Sequence, residues 1–283
     1  MRLHAEQYVV VLNRHSEPLH TTVTTADAGR APIVVIMHGF KGFRNYSFLP
    51  LLAQVAATRG MHAVRFCFSR NGMANTSWMV QDAAAFARNT ISHEVNDALD
   101  LIAAIQHNTL FAHLRERWNG QVYLVGHSRG GGVAQVVSRE LLQSGSHLLC
   151  KTLCLNSVGS WERWTPRQRE AWQRAGSMMV TNQRTGQELP MEFSYVEDIE
   201  LNADRLSLPA ALRAAVGYIA FVHAAEDITV PLREVNTLIE QAGTASPLIT
   251  IPNTTHTFGM THPVERITHG FTQAIEEGFS WLG

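Results

Sequence analysis

The chain has 283 residues, of which 45% are hydrophobic and 17% charged, and its formal net charge is −1. That length and apolar content provide a substantial core, for one large α/β domain or two smaller ones. Near-neutrality gives no global electrostatic case for nucleic acid or acidic membranes, which clustered Lys and Arg would favour, and leaves small uncharged molecules as the expected partners.

In chain order, the amino-terminal "MRLHAEQYVVVLNRHSEP" holds a brief apolar run broken by Asn13, Arg14 and His15. It is too short and polar for a signal-peptide core, and no apolar run reaches the roughly 18–20 residues of a membrane span, so a cytoplasmic location without a membrane partner is expected. Apolar, β-branched runs recur at "YVVVLN", "IVVIMHG" (33–39), "HAVRFCF" (62–68), "VYLVGHS" (122–128), "LLCKTLCLNS" (148–157), "YIAFVHA" (218–224) and "LITIP" (248–252). Continuous rather than alternating apolar strands, separated by helical patterns, describe a parallel sheet covered on both faces and hence an α/β fold.

Two of the intervening helices are well patterned. One is predicted from about His93 to Gln106, with Ser92 as N-cap, Val95, Ala98, Leu99, Ile102 and Ile105 turned inward, and Glu94, Asp97 and Asp100 on a solvated face. The other follows Ser128 and presents Val133, Val136, Val137 and Leu141 on one face, with Gly145 where a C-terminal cap belongs. Cys67, Cys150 and Cys154 sit in apolar runs without metal-ligand spacing and read as buried thiols.

From 157 to 217 the strand rhythm lapses for longer than a crossover requires, which marks a lid inserted into a core formed by 1–156 and 218–283. The insertion holds Trp161, Trp164 and Trp172, half of the six tryptophans, and the stretch "MMVTNQRTGQELPMEF" with a turn signal at Thr185-Gly186.

The chemistry centres on "VGHSRGG" (125–131). A Gly-x-Ser-x-Gly sequence between a strand and a helix puts the serine on a tight turn, where flanking glycines let strand and helix approach without Cβ clashes. Ser128 is then exposed at the sheet edge and at the positive end of a helix, but it needs a base. "FVHAAEDITVP" (221–231) places Asp227 just beyond a strand, with Glu226 as the rival acid. "LITIPNTTHTFGM" places His256 beyond the last strand, with His262 as its competitor. The order Ser, acid, His is one of the known triad topologies. The amide of Arg129 is the first expected oxyanion donor, and "MHGFKGFRNY" is expected to provide the second at Phe40, with Lys41 the alternative.

Together "HGF" (38–40), "GHSRGG" (126–131), "HAAEDITVP" (223–231) and "HTF" (256–258) resemble the α/β-hydrolase superfamily over nearly the whole chain. "HGFKGFRNY" and "RTGQELP" look like bacterial esterases related to the serine aminopeptidase and feruloyl esterase groups. The resemblance implies an eight-stranded, mostly parallel sheet with helices on both faces, the triad on loops at its C-terminal edge, and a lid after the sixth strand. Ala224 departs from the glycine that many relatives have in the acid strand.

The function expected is cleavage of a small-molecule carboxylic ester through a Ser128–His256–Asp227 triad and an acyl-enzyme, without metal or organic cofactor, by a monomer or homodimer. Trp161, Lys41 and His127 are the expected substrate contacts. A peptidase or thioesterase using the same triad is the alternative, for which Glu192, Glu197, Asp198 and Glu200 could hold a substrate amine; a slow ligand-sensing hydrolase is another.

Overall fold

The computed structural model describes residues 3–74 and 78–283. In chain order the elements are β1 (Glu6–Leu12), β2 (Pro18–Thr24), β3 (Ala31–Met37), α1 (Leu49–Thr58), β4 (His62–Phe66), α2 (Ala83–Ala87), α3 (Ile91–His107), α4 (Ala112–Glu116), β5 (Trp118–His127) and α5 (Arg129–Gln143). There follow β6 (Leu149–Leu155), α6 (Pro166–Ala175), β7 (Ser177–Asn182), β8 (Gln187–Glu192), α7 (Ser194–Leu201), α8 (Ala203–Leu206), α9 (Leu208–Ala214), β9 (Ile219–Ala224), α10 (Leu232–Ala242), β10 (Leu248–Ile251) and α11 (His269–Leu282).

Eight strands form one sheet in the order β1-β2-β4-β3-β5-β6-β9-β10. The pairings from β4 to β10 are parallel, while β1, β2 and β4 pair antiparallel. Every residue of β4 and β9 is buried, as a strand covered on both faces requires. One face packs against α1 and α11 around Phe48, Leu52, Phe271 and Phe279, and the other against α3 and α5 around Ile102, Val133 and Val137.

The second strand is the one that apolar runs miss, because it reads "PLHTTVT". Its threonines are nonetheless buried: Thr22 Oγ1 accepts from Arg44 Nε at 3.0 Å and Thr24 Oγ1 from Arg65 Nη1 at 3.1 Å. Hydrogen bonding there replaces apolar character as the condition of burial.

The predicted N-cap of the third helix is corrected. Thr90, not Ser92, accepts from the His93 amide, so α3 begins at Ile91. Its expected solvated face is corrected as well, since Glu94 is 3% exposed and Asp97 fully buried; only Asp100 is partly open, paired with Arg14 at 2.7 Å. Helical periodicity alone assigns these acids outward; tertiary donors bring them in. Asp97 accepts from Asn13 Nδ2 (2.6 Å), Ser69 N (2.8 Å) and Ser69 Oγ (2.9 Å), while burial pushes its carboxyl up to about 7. Asp97→Ala would leave the Ser69 amide without its acceptor and Asn13 Nδ2 with only the longer bond to Ser69 Oγ, and should cost about 3 kcal/mol in denaturant unfolding. A loss under about 1 kcal/mol would show that water replaces the carboxylate.

All three cysteines are free thiols, but Cys150 is only partly buried. Between β6 and β9 the chain leaves the sheet for α6 to α9 and the separate antiparallel hairpin β7–β8, whose turn passes through Gly186 at φ +70°. Among the described residues no helix is long and apolar enough to cross a membrane.

Candidate active site

Ser128 stands between β5 and α5 with φ 58° and ψ −122°, a conformation that a non-glycine residue adopts only when its surroundings enforce it. The enforcement is close packing. A Cβ on Gly126 would come within 2.2 Å of the Gly130 carbonyl oxygen, and one on Gly130 within 2.5 Å of that of His38. Leu155 O accepts the Ser128 amide at 2.9 Å, so the turn is also pinned to β6.

Asp227 and His256 meet beyond the ends of β9 and β10. His256 Nδ1 is 2.7 Å from Asp227 Oδ2, and Asp227 Oδ1 accepts the amides of Thr229 and Val230, both at 2.9 Å. Burial raises the Asp227 pKa, but the hydrogen bond and charge of His256 outweigh it, and the net shift is downward. The carboxylate is therefore ionised at neutral pH. Nδ1 carries the proton it donates, so that in the neutral ring the free lone pair is on Nε2. Glu226, the rival acid, is exposed, and His262 Nδ1 instead accepts the Ser47 amide at 3.1 Å.

The backbone carbonyl of His256 is clamped by His127 Nε2 at 2.9 Å and Asn156 Nδ2 at 2.7 Å. His127 precedes Ser128, and its ring lies 4.8 Å from that of His256, so the histidine loop is held against the serine turn. Burial drives the His127 imidazolium down to about 3, which keeps this ring neutral. His127, expected as a substrate contact, is buried, with its ring packed against those of His256 and Phe48.

Asn156 is the residue that sequence reasoning missed. Its amide donates to His256 O while its Oδ1 accepts the Ala224 amide at 2.7 Å, tying the acid strand to the histidine loop. A polar residue closing the apolar run of β6 was the available signal.

Phe40 and Arg129 flank the serine turn. A Cβ on Gly39 would lie 2.9 Å from Ser128 Cβ, which sets the Gly39–Phe40 peptide against the Ser128 side chain. The Gly39 carbonyl accepts from His38 Nδ1 at 2.8 Å and from the Gly42 amide at 2.9 Å. Because C=O and N–H point oppositely in a trans peptide, those two bonds fix the direction of the Phe40 N–H. The Phe68 amide donates to His38 Nε2, so Nδ1 bears the proton; burial holds this imidazolium down at about 4. The Arg129 amide is the first of α5, while its guanidinium stacks 3.9 Å over the Phe40 ring and pairs with Glu94 at 3.3 Å.

The other expected substrate contacts, Trp161 and Lys41, are engaged by backbone carbonyls. Trp161 is 7% exposed, with its indole N–H on Leu206 O and its ring against Gly132 of α5. Its edge borders a cavity of about 930 Å³ between α10 and the β6–β9 excursion, lined also by Ile228, Thr229 and Leu208. Lys41 Nζ is bonded to Thr181 O at 2.8 Å. Of the acids considered for an amine, Glu200 pairs with Arg169 and Asp198 Oδ2 accepts the Ser92 amide. Among the described residues no group of three or more His, Cys, Asp or Glu side chains has metal-binding geometry.

The same overall fold recurs in solved structures. A protein from Agrobacterium vitis S4 is 15% identical with a TM-score of 0.71, each chain covered in full. The chain has the α/β-hydrolase fold. Alpha/beta hydrolase GrgF from Penicillium sp. sh18 is 12% identical, with a TM-score of 0.68 and 98% of each chain covered. Est1E from Butyrivibrio proteoclasticus, also solved with ferulic acid bound, is 15% identical with a TM-score of 0.64 over 98% of each chain. No protein-family model and no curated protein matches this chain in sequence.

Proposed function

We propose that the chain is a serine hydrolase that cleaves carboxylic esters, with Ser128 as nucleophile, His256 as general base and acid, Asp227 as its orienting carboxylate, and the amides of Phe40 and Arg129 as oxyanion donors. The observation that carries this reading is the 2.7 Å bond from His256 Nδ1 to an Asp227 carboxylate whose other oxygen is held by two backbone amides. That arrangement leaves His256 one basic nitrogen, on a loop clamped by the residue before Ser128.

His256 Nε2 takes the Ser128 proton as Oγ attacks the ester carbonyl, and the tetrahedral oxyanion is met by backbone amides already aimed by their own peptide planes. The proton passes to the departing alcohol, and water repeats the sequence to release the acid. Residues 157–217 act as the lid in this reading; Ser128 itself is 9% exposed. An ester rather than an amide is favoured because two of the four lid acids considered for a peptide amine are engaged elsewhere, Glu200 by Arg169 and Asp198 by the Ser92 amide. The fold shared with Est1E points the same way.

The test is covalent. An alkyl fluorophosphonate should add a single phosphonyl mass to Ser128, and p-nitrophenyl esters from acetate to decanoate should compete with it, whereas an aminoacyl p-nitroanilide should not. Labelling at another residue, or none, would overturn the assignment; competition by the anilide alone would make the protein a peptidase.

A further inference from the structure

The tip of the β7–β8 hairpin grips the loop after β3. Arg184 Nη2 donates to the Lys41 carbonyl at 2.9 Å, and Lys41 Nζ donates back to Thr181 O at 2.8 Å. The Arg184 guanidinium lies 4.8 Å from the Tyr46 ring centre and 5.5 Å from that of Phe43. Beside them, Gln187 exchanges two bonds with the Val80 backbone, at 2.8 and 3.0 Å. The hairpin is thus docked on the core from both sides of its turn.

The peptide planes give this contact a direction. The Lys41 carbonyl shares its peptide with the Gly42 amide, which donates to Gly39 O at 2.9 Å; the Gly39 carbonyl shares its peptide with the Phe40 amide. A continuous chain of hydrogen bonds therefore runs from the Arg184 guanidinium through two peptide groups to the Phe40 N–H. A cation at the donor end draws electron density along such a chain, so that each following N–H becomes a stronger donor. Lys41 also stands at φ 58°, a left-handed conformation that disfavours a non-glycine residue and is sustained by partners on both its carbonyl and its side chain.

We propose that Arg184 is a positioning residue for the oxyanion donor: through the Lys41–Gly42 and Gly39–Phe40 peptides it aims and polarises the Phe40 amide, so that hydrolysis depends on the hairpin being docked. This inference rests on the ester-hydrolase reading above. Removal of a whole oxyanion donor typically lowers kcat by 10²–10³, and loss of its polarisation and aim is a fraction of that, about 10-fold.

The experiment compares wild type, Ser128→Ala, Arg184→Met, Arg184→Gln and Arg184→Lys on one p-nitrophenyl ester, with melting curves and the affinity of an alkyl trifluoromethyl ketone, which forms an anionic hemiketal on a catalytic serine. The expected result is an about 10-fold fall in kcat for Arg184→Met with KM changed less than about 2-fold, a parallel weakening of the ketone, and partial recovery in Arg184→Lys. Arg184→Gln keeps a neutral donor and should fall between them; it replaces Arg184→Met as the decisive comparison if the latter does not fold. Wild-type kcat in the folded Arg184 variants, with turnover still abolished by Ser128→Ala, would overturn the relay and leave the hydrolase reading standing. A kcat loss without weaker ketone binding would reduce Arg184 to a structural role and overturn it too. Turnover surviving Ser128→Ala would remove both.

Discussion

Ser128→Ala should lower kcat on a p-nitrophenyl ester by about 10⁵–10⁶, leaving the residual rate that binding and oxyanion donors provide without a nucleophile. The magnitude follows from the division of labour at the serine turn. Without Oγ there is no acyl-enzyme, and His256 has no proton to take. The fold should not suffer, because alanine keeps the Cβ on which Gly39 packs and the Leu155 carbonyl still accepts the amide of residue 128. Melting behaviour close to wild type with turnover gone is the expected pair of results. A variant retaining more than about 1% of kcat would end the acyl-enzyme mechanism.

Asp227→Asn should cost about 10⁴ in kcat, although the side chain is nearly isosteric. The reason lies in which oxygen is already committed. The Thr229 and Val230 amides require an acceptor at the Oδ1 position, so an asparagine keeps its oxygen there and turns its NH₂ toward His256 Nδ1. Nδ1 must then accept, the ring proton moves to Nε2, and the base is lost. Glu226→Gln, on an exposed neighbour, should retain wild-type kcat; a reversal between the two variants would reassign the acid.

The same carboxylate has a stability signature. Its native pKa lies below its unfolded value, so its contribution is present above the ordinary carboxylate range and is lost as pH falls through the lowered native pKa. The stability gap between wild type and Asp227→Asn should accordingly be widest near neutrality and close toward acid. A gap that widened on acidification would contradict the ionised pair.

The core strands announce themselves as unbroken apolar runs, because a strand covered on both faces has no polar side to display, and β4 and β9 are buried throughout. The hairpin at Thr185-Gly186 and the excursion between β6 and β9 were readable from turn chemistry and spacing. The threonine-rich β2 was not, since its burial rests on Arg44 and Arg65 from distant segments. Glu94 and Asp97 were read outward for the same reason: helical periodicity places polar residues toward water, and Arg129, Asn13 and Ser69 overrule it only once the chain is folded.

By itself, then, the sequence determined the α/β architecture and the candidates at positions 128, 227 and 256, because local sterics at a Gly-x-Ser-x-Gly turn and hydrophobic patterning act over a few residues. Only the tertiary structure decided that Asp227 rather than Glu226 meets His256, that His127 and Asn156 clamp the histidine loop, and that Arg184 reaches the Lys41 carbonyl across 143 positions of chain. Hydrogen bonds between side chains and backbone carbonyls leave no period or composition in the sequence; their partners are chosen by where the sheet ends bring the loops together.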